Sequence, residues 1–198
     1  MLKIGITGNI GSGKTTVSKM FEVLGIPVFY ADIAAKNIMT EDPVLVTDIK
    51  KTFSDKAYFA DGSLDRKYIA NIVFNDDKEL AKLNELTHPA VFRAFDNWVA
   101  GIKNVPYVIK EAALLFESTS YKMCDYSVLV TAPLEMRITR VMKRDDITRS
   151  DVVAREARQF TEDKKRELAD NILENNEQRL LIPQVLQLHD HFLQLADL

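Results

Sequence analysis

The sequence predicts an α/β fold in which helices flank a parallel sheet, with a helical insertion in the middle of the chain and a charged helical segment after it. Three observations lead to this prediction. The chain opens with a strand, a glycine-rich loop, a helix and a second strand; strand patterns then return only after a long helical stretch; and residues 137–166 are charged and helical. Strands that alternate with helices along a chain are typical of a parallel sheet.

The first strand is predicted over Leu2–Thr7, a short β-rich run that is followed at once by Gly8. Residues 15–24 have helical spacing with apolar side chains on one face, and Gly25 ends that helix. Residues 26–30 predict a second strand. Strand, helix and strand together form the βαβ unit of a parallel sheet.

The middle of the chain, from Ile33 to about Gly101, carries mostly helical patterns. The clearest helices are residues 66–74 and 77–100. Breaks are predicted at Pro43, at Asp61-Gly62 and at Pro89. Because proline lacks an amide hydrogen and clashes with the preceding turn, we expect Pro89 to interrupt the second of these helices.

The remaining strands are predicted at residues 105–110, 126–131 and 171–173. Pro133 is placed to begin a helix, and Leu180–Leu195 predicts an amphipathic closing helix.

These elements divide the chain into three parts. The predicted boundaries are 1–32, 105–136 and 168–198 for the core that contains the sheet, 33–104 for the helical insertion and 137–167 for the charged helical segment.

Composition limits the classes of function. The chain has 198 residues, a net charge of −3 and a single cysteine, Cys124. The charge is not that of a polycation seeking nucleic acid. One cysteine cannot form an intramolecular disulfide, and no apolar run is long enough to cross a bilayer. We expect a cytoplasmic protein that binds neither nucleic acid nor membrane; the sequence does not fix the oligomeric state.

Residues 8–15, Gly-Asn-Ile-Gly-Ser-Gly-Lys-Thr, match the phosphate-binding pattern G-x-x-x-x-G-K-[ST] at every fixed position. Glycines let successive backbone amides point at an anion, and the following helix offers its positive N-terminal end. Lys14 is expected to reach the β- and γ-phosphates of ATP, and Thr15 to offer its hydroxyl to Mg²⁺. The loop predicts an ATP-type nucleotide site at Gly8, Gly11, Ser12, Gly13, Lys14, Thr15 and Thr16. By itself it does not choose a reaction.

Asp32 follows the second predicted strand, where parallel sheets bind ligands. Its carboxylate is suited to accept a proton from a substrate hydroxyl, to orient that hydroxyl, or to hold Mg²⁺ through water. Alternatively, Asp32 is the N-cap of a helix that begins at Ile33. Glu111 has a similar place after the third strand, and there a cap is the favoured interpretation.

Arg137, Arg140 and Arg144 are spaced by three and four residues, which predicts three guanidinium groups near one helix face. Arginine suits the charge of a transferring phosphoryl group, but a solvated helix face with local ion pairs has the same pattern. His88 precedes Pro89, where it either touches substrate or, as we favour, hydrogen-bonds at the kink.

GTPase switches, motor ATPases and kinases all share such a loop. A guanine-reading Asn-Lys-x-Asp motif is absent from the sequence, which argues against a nucleotide-dependent regulatory switch. The alternative within kinases is an enzyme that phosphorylates a nucleoside monophosphate or a hydroxy acid.

The chain resembles the dephospho-CoA kinase family nearly end to end. Beyond the loop, the resemblance rests on short segments in a fixed order: Leu64-Asp65-Arg66, Ile72-Val73-Phe74, Leu86-Thr87-His88-Pro89, Leu114-Leu115-Phe116-Glu117, Arg140 with Arg144-Asp145, Arg155 with Gln159, and Ala169-Asp170 followed by Asn175. The chain departs from the family at Tyr30, Arg137, Ala113 and Phe92, where an acid, a glutamine, a proline and an arginine are expected.

This resemblance implies transfer of the ATP γ-phosphate to the ribose 3′-hydroxyl of dephospho-CoA, with Mg²⁺. Asp32 would act on that hydroxyl as base or orienting group, while Lys14 and Arg140 would stabilise the transferring group. Arg66 and His88 would belong to the acceptor side, and Asn175 would lie beside adenine. The resemblance also implies a P-loop NTPase-type architecture in three parts: the sheet core would bind the nucleotide, the insertion 33–104 would be the CoA-side domain on the substrate side, and 137–167 would be a helical lid.

Overall fold

The computed structural model describes residues 1–73 and 76–196. Five strands are found there: β1 (Leu2–Thr7), β2 (Val28–Tyr30), β3 (Tyr107–Glu111), β4 (Tyr126–Thr131) and β5 (Asn171–Glu174). The α-helices of the same residues are α1 (Lys14–Val23), α2 (Ala31–Glu41), α3 (Pro43–Phe53), α4 (Arg66–Val73), α5 (Asp77–Ala100), α6 (Leu134–Asp145), α7 (Arg149–Glu156), α8 (Glu162–Leu168) and α9 (Leu181–Ala196). Phe74, the predicted last residue of the helix over 66–74, lies outside the described residues.

The chain divides into two compact units. One is built from Met1–Tyr30 and the chain from Ile102 onward, and it contains all five strands. In the other, Ala31–Gly101, the described residues form helices and connecting turns, with one isolated bridge between Tyr58 and Leu64. The predicted fold class, a parallel sheet flanked by helices with a helical insertion, is confirmed.

All strand pairs of the sheet are parallel, in the order β2-β3-β1-β4-β5. The central strand β1 pairs with β3 on one side and with β4 on the other, so the chain changes direction across the sheet at β1. Ligands of open parallel sheets bind outside the carboxyl ends of the strands at such a point. The loop 8–15 leaves β1 at that end, beside Glu111, which pairs with Ile6 and Tyr30.

Alternation along β1 sends its side chains to opposite faces of the sheet. Ile4 and Ile6 are fully buried in a core that α1 and α9 cover, with Phe21 and Phe192 at its centre. Gly5 faces the other way, where a Cβ atom would lie 2.7 Å from Leu115 Cδ2. A side chain at position 5 would therefore push away the segment that follows β3. This close packing fixes the strand from which the loop departs.

The segment 137–166 forms three helices, because two turns break it. Asp146 adopts a left-handed conformation (φ 52°) after α6. Thr148 then begins α7 with a capping box, in which its side chain accepts from the amide of Asp151 and the Asp151 carboxylate accepts from the Thr148 amide. Thr161 caps α8 by accepting from the amide of Lys164.

In the helical unit, the prediction that Pro89 interrupts a helix is wrong. Helix α5 runs unbroken from Asp77 to Ala100 with Pro89 inside it. Ala90, Val91 and Phe95 are buried, and α5 packs against α2, α3 and α4 of the same unit. This packing outweighs the few kcal/mol, about 3, that an interior proline costs. The break at Pro43 is confirmed: Asp42 caps α3 and Pro43 is its first residue.

Within the described residues, no helix is both long enough and apolar enough to cross a lipid bilayer.

Candidate active site

The loop 8–15 has the conformation that its glycines predict. Gly11 and Gly13 have φ angles of 79° and 93°, a region that side-chain-bearing residues rarely adopt. A Cβ atom on Gly13 would also collide with the side-chain amide nitrogen of Asn175. Helix α1 begins directly after Gly13 without a side-chain cap. Its first backbone amides therefore suit an anion, as the loop pattern predicts.

Thr15 Oγ1 donates a hydrogen bond to Glu111 Oε1 over 3.1 Å, although 96 residues separate the two in sequence. Glu111 is only 5% exposed, at the end of β3. The favoured interpretation of Glu111 as a local cap does not account for this contact. The sequence signal was its place at the end of a strand, and parallel strand ends meet at one edge of the sheet.

The three arginines of α6 do not form one cluster. Arg137, 4% exposed, donates from Nη1 to Glu156 Oε2 (2.6 Å) and to the carbonyl of Ile10 (3.3 Å), and from Nε to the carbonyl of Ala132 (3.0 Å). Arg144 is largely exposed and pairs with its neighbour Asp145. Helical spacing predicted that the arginines share a face of α6, but it did not predict how deeply each side chain is buried. Arg137 is buried and contacts the phosphate loop at the Ile10 carbonyl.

Arg140 and Asn175 lie beside the loop. The Asn175 side chain donates to the carbonyl of Ser12 over 2.8 Å, and both terminal nitrogens of Arg140 donate to the Asn175 carbonyl over 3.3 Å. Arg140 also pairs with Glu177, whose side chain is 71% exposed. Of the residues predicted on the nucleotide side, Arg140 and Asn175 are thus brought to the loop by α6 and by the end of β5.

Lys14 is half-buried at the start of α1, and Thr15 and Thr16 are exposed in its first turn. The ion pairs found among residues 1–73 and 76–196 do not include Lys14. Its ammonium group is therefore available to a phosphate.

The residues present fit a nucleotide with Mg²⁺. Ser12 Oγ is buried in the loop without a hydrogen-bond partner among the described residues. The same residues contain no cluster of three or more histidine, cysteine or acidic side chains that would hold a metal by itself. Thr15 and Glu111 are the oxygen donors at the site, which suits Mg²⁺ because this ion takes most of its ligands from water and phosphate.

Tyr30 ends β2 opposite Glu111 in the sheet register. Its hydroxyl donates to Glu22 Oε2 over 2.9 Å. Burial, with the Glu22 carboxylate as the second cause, raises the pKa of the Tyr30 phenol well above its usual value. Tyr30 is therefore neutral near pH 7 and does not replace the charge of the acid that the family resemblance leads one to expect there.

Asp32, Arg66 and His88 belong to the helical unit. Asp32 is exposed in the first turn of α2, which begins at Ala31; the alternative that Asp32 is an N-cap before Ile33 is therefore wrong. Arg66 is exposed at the first position of α4. His88 lies half-buried within α5, which continues through Pro89, and its ring stacks on Phe92 with ring centroids 6.3 Å apart.

A cavity of about 420 Å³ lies elsewhere in the sheet unit, between β5 and α9. Its lining, which includes Asn171, Gln187 and His191, contains none of the predicted site residues.

A family model described as dephospho-CoA kinase matches residues 2–180 of the chain. The chain is also similar to a dephospho-CoA kinase from Salinibacter ruber, with 40% identity over 178 residues that cover 89% of both sequences.

Among solved structures, a protein from Thermus thermophilus superposes with a TM-score of 0.82 at 34% identity, covering 100% of this chain and 97% of the other. The dephospho-CoA kinase from Campylobacter jejuni has a TM-score of 0.70 at 24% identity, with 97% of both chains covered, and shows the likeness of fold.

Proposed function

This chain belongs to the dephospho-CoA kinase family, a family of ATP-dependent kinases, and we propose that it transfers the γ-phosphate of ATP to the ribose 3′-hydroxyl of dephospho-CoA. The products are coenzyme A and ADP. The family match over residues 2–180 supports the acceptor, and the phosphate loop supports the ATP side: Gly11 and Gly13 are in positive φ, and Thr15 contacts Glu111 across 96 residues. A triphosphate site with a hydroxyl and a carboxylate at its edge is what phosphoryl transfer from Mg-ATP needs.

On the nucleotide side, the proposed roles follow the contacts. The amides of the loop and the ammonium of Lys14 hold the β- and γ-phosphates, and Arg140 stabilises charge on the transferring group. Asn175, which bonds to the loop at Ser12, lies beside the adenine. Mg²⁺, when bound, neutralises charge on the phosphates; Thr15 and Glu111 are the residues that would hold it, directly or through water.

On the acceptor side, we assign Asp32 to the 3′-hydroxyl. Its carboxylate is exposed in the first turn of α2, where the positive N-terminal end of the helix favours negative charge. It is therefore able to accept a hydrogen bond, and then a proton, from an alcohol. Arg66 and His88 are assigned to binding dephospho-CoA, with 33–104 as the CoA-side domain and 137–167 as the lid. A cytoplasmic location remains a prediction of the sequence.

The test is an ADP-release assay with three acceptors, dephospho-CoA, AMP and shikimate, at saturating Mg-ATP. We expect turnover with dephospho-CoA and a product that co-elutes with coenzyme A. The variant Lys14→Met controls for contaminating kinases, since its loss of a phosphate contact should abolish most of the signal. Turnover of AMP or shikimate without turnover of dephospho-CoA would refute the assignment and favour the alternative small-molecule kinases.

A further inference from the structure

The backbone carbonyl of Ala113 lies two residues beyond Glu111 and is approached by three side chains. Lys165 Nζ donates to it over 3.1 Å, and Thr7 Oγ1 and Gln159 Nε2 lie at 3.4 Å. Thr7 is the last residue of β1, so one of these contacts comes from the strand that leads into the phosphate loop. The segment that follows Glu111 is thus held by groups from three separate parts of the sheet unit.

Gln159 connects this carbonyl to the phosphate loop. Its Oε1 accepts a hydrogen bond from the amide of Ile10 over 2.8 Å, while its Nε2 faces the Ala113 carbonyl. The uncharged side chain of Gln159 therefore connects the phosphate loop to the segment that follows Glu111.

Lys165 supports the same connection from α8. Its side chain is 0% exposed and pairs with Glu117 Oε1 at 3.0 Å. That oxygen also accepts from the amide of Phe160 (2.8 Å), and the Phe160 carbonyl accepts from the side chain of Asn9 in the phosphate loop (3.0 Å). Burial lowers the pKa of the Lys165 ammonium, and nearby Lys14 lowers it further, although Glu117 acts in the opposite direction.

We propose that Gln159 and Lys165 are positioning residues for the phosphoryl transfer: they fix the phosphate loop relative to the strand end that carries Glu111. The Thr15–Glu111 contact is then set before nucleotide binds, which lowers the ordering cost of binding Mg-ATP. Neither side chain needs to touch the substrate for this role. The catalytic role of these two residues rests on the proposed function. Their effect on nucleotide binding does not depend on which acceptor the enzyme phosphorylates.

The principal variant is Gln159→Met, which removes both hydrogen bonds and keeps the length and charge of the side chain. We expect the dissociation constant for Mg-ATP, measured by calorimetry without acceptor, to rise about tenfold, because the loop must then be ordered when the nucleotide binds. The KM for dephospho-CoA should stay within about twofold of wild type, because uniform damage to the fold would change both constants. Gln187→Met, an exposed substitution on α9, is the matched control.

The second variant is Lys165→Met combined with Glu117→Gln, which removes both charges of the pair. Lys165→Met alone would leave a buried carboxylate without its cation, which costs stability for reasons unrelated to positioning. We expect the double variant to weaken Mg-ATP binding about as much as Gln159→Met does. Arg166→Met combined with Glu162→Gln, which removes a more exposed ion pair on the same helix, is the matched control.

Dissociation constants for Mg-ATP within about twofold of wild type in both variants would overturn the proposal, because the two side chains would then contribute only to the fold. Failure of Gln159→Met to fold would overturn it as well. If wild-type protein binds Mg-ATP but does not phosphorylate dephospho-CoA, the proposed function fails, and the comparison of Mg-ATP affinities still decides the positioning role.

Discussion

Arg137 and Arg140 lie one turn apart on α6, and they differ in burial and in partners, so a pair of substitutions tests the roles that we propose for them. Arg137→Met is expected to destabilise the protein while Arg140→Met is expected to impair catalysis. The side chain of Arg137 is 5% exposed and that of its partner Glu156 is 22% exposed. The side chain of Arg140 is 27% exposed and pairs with a glutamate on the surface.

The magnitude follows from burial. Removing one partner of a buried ion pair costs roughly 3–5 kcal/mol, and the partial exposure of Glu156 places Arg137→Met at the lower end, about 3 kcal/mol. For a chain of this size that corresponds to a fall of roughly 6–12 °C in the melting temperature. Arg140→Met removes an interaction that solvent screens, so we expect it to cost less than about 1 kcal/mol.

Urea unfolding followed by circular dichroism measures the first effect, and steady-state kinetics at saturating Mg-ATP measures the second. We expect kcat to fall about 10²–10³-fold in Arg140→Met, as when a group that stabilises transition-state charge is removed. The double variant Arg137→Met with Glu156→Gln should recover part of the lost stability, because it leaves no unpaired buried charge. An Arg137→Met protein of wild-type stability whose kcat falls as far as that of Arg140→Met would refute the reasoning and make Arg137 a phosphate ligand.

Three other predictions concern single residues. Asp32→Asn should lower kcat by about 10²–10⁴ with little change in the dissociation constant for ATP; near-normal turnover would exclude the assigned role. Glu111→Gln should raise the Mg²⁺ concentration for half-maximal activity by about 10–100-fold, and an unchanged Mg²⁺ titration would argue against a metal-side role. Burial lowers the pKa of His88 below its usual 6.5, so the unfolded chain takes up this proton at higher pH than the folded protein does. Stability from His88 is therefore complete above pH 6.5 and is lost as the pH falls; unfolding measured from pH 7 to 5 should show a shallower loss in His88→Gln, and parallel curves would contradict this.

The features that the sequence predicted well depend on neighbouring residues. The bounds of β1 and β4 are as predicted, because each is a short β-rich run with clear ends. The loop 8–15 was predicted from its pattern because its glycines, lysine and threonine act within one turn of chain. The helical nature of 31–101 was also visible, since its apolar residues recur at helical spacing.

The features that the sequence did not predict depend on distant contacts. Nothing near Glu111 in the chain shows that its carboxylate meets Thr15. The spacing of Arg137 predicts which face of α6 it lies on, but not that its side chain is buried. That burial is set by the packing of α6 against the phosphate loop. Pro89 is a case in which a local signal was present but misleading. Its tendency to break a helix is overcome by the burial of Phe95 and its neighbours on α5.

The charges around the phosphate loop support the proposal that Lys14 is a phosphate ligand. Three basic side chains, Arg137, Lys165 and Lys14, are close enough to affect the loop or one another. Arg137 is matched by Glu156 and Lys165 by Glu117, both through short contacts to largely buried side chains. A cation that is paired with a carboxylate and already donates to carbonyl oxygens attracts an incoming anion only weakly. Lys14 forms no ion pair among the described residues, so we propose that a bound phosphate meets Lys14, together with Arg140, while Arg137 and Lys165 support the loop.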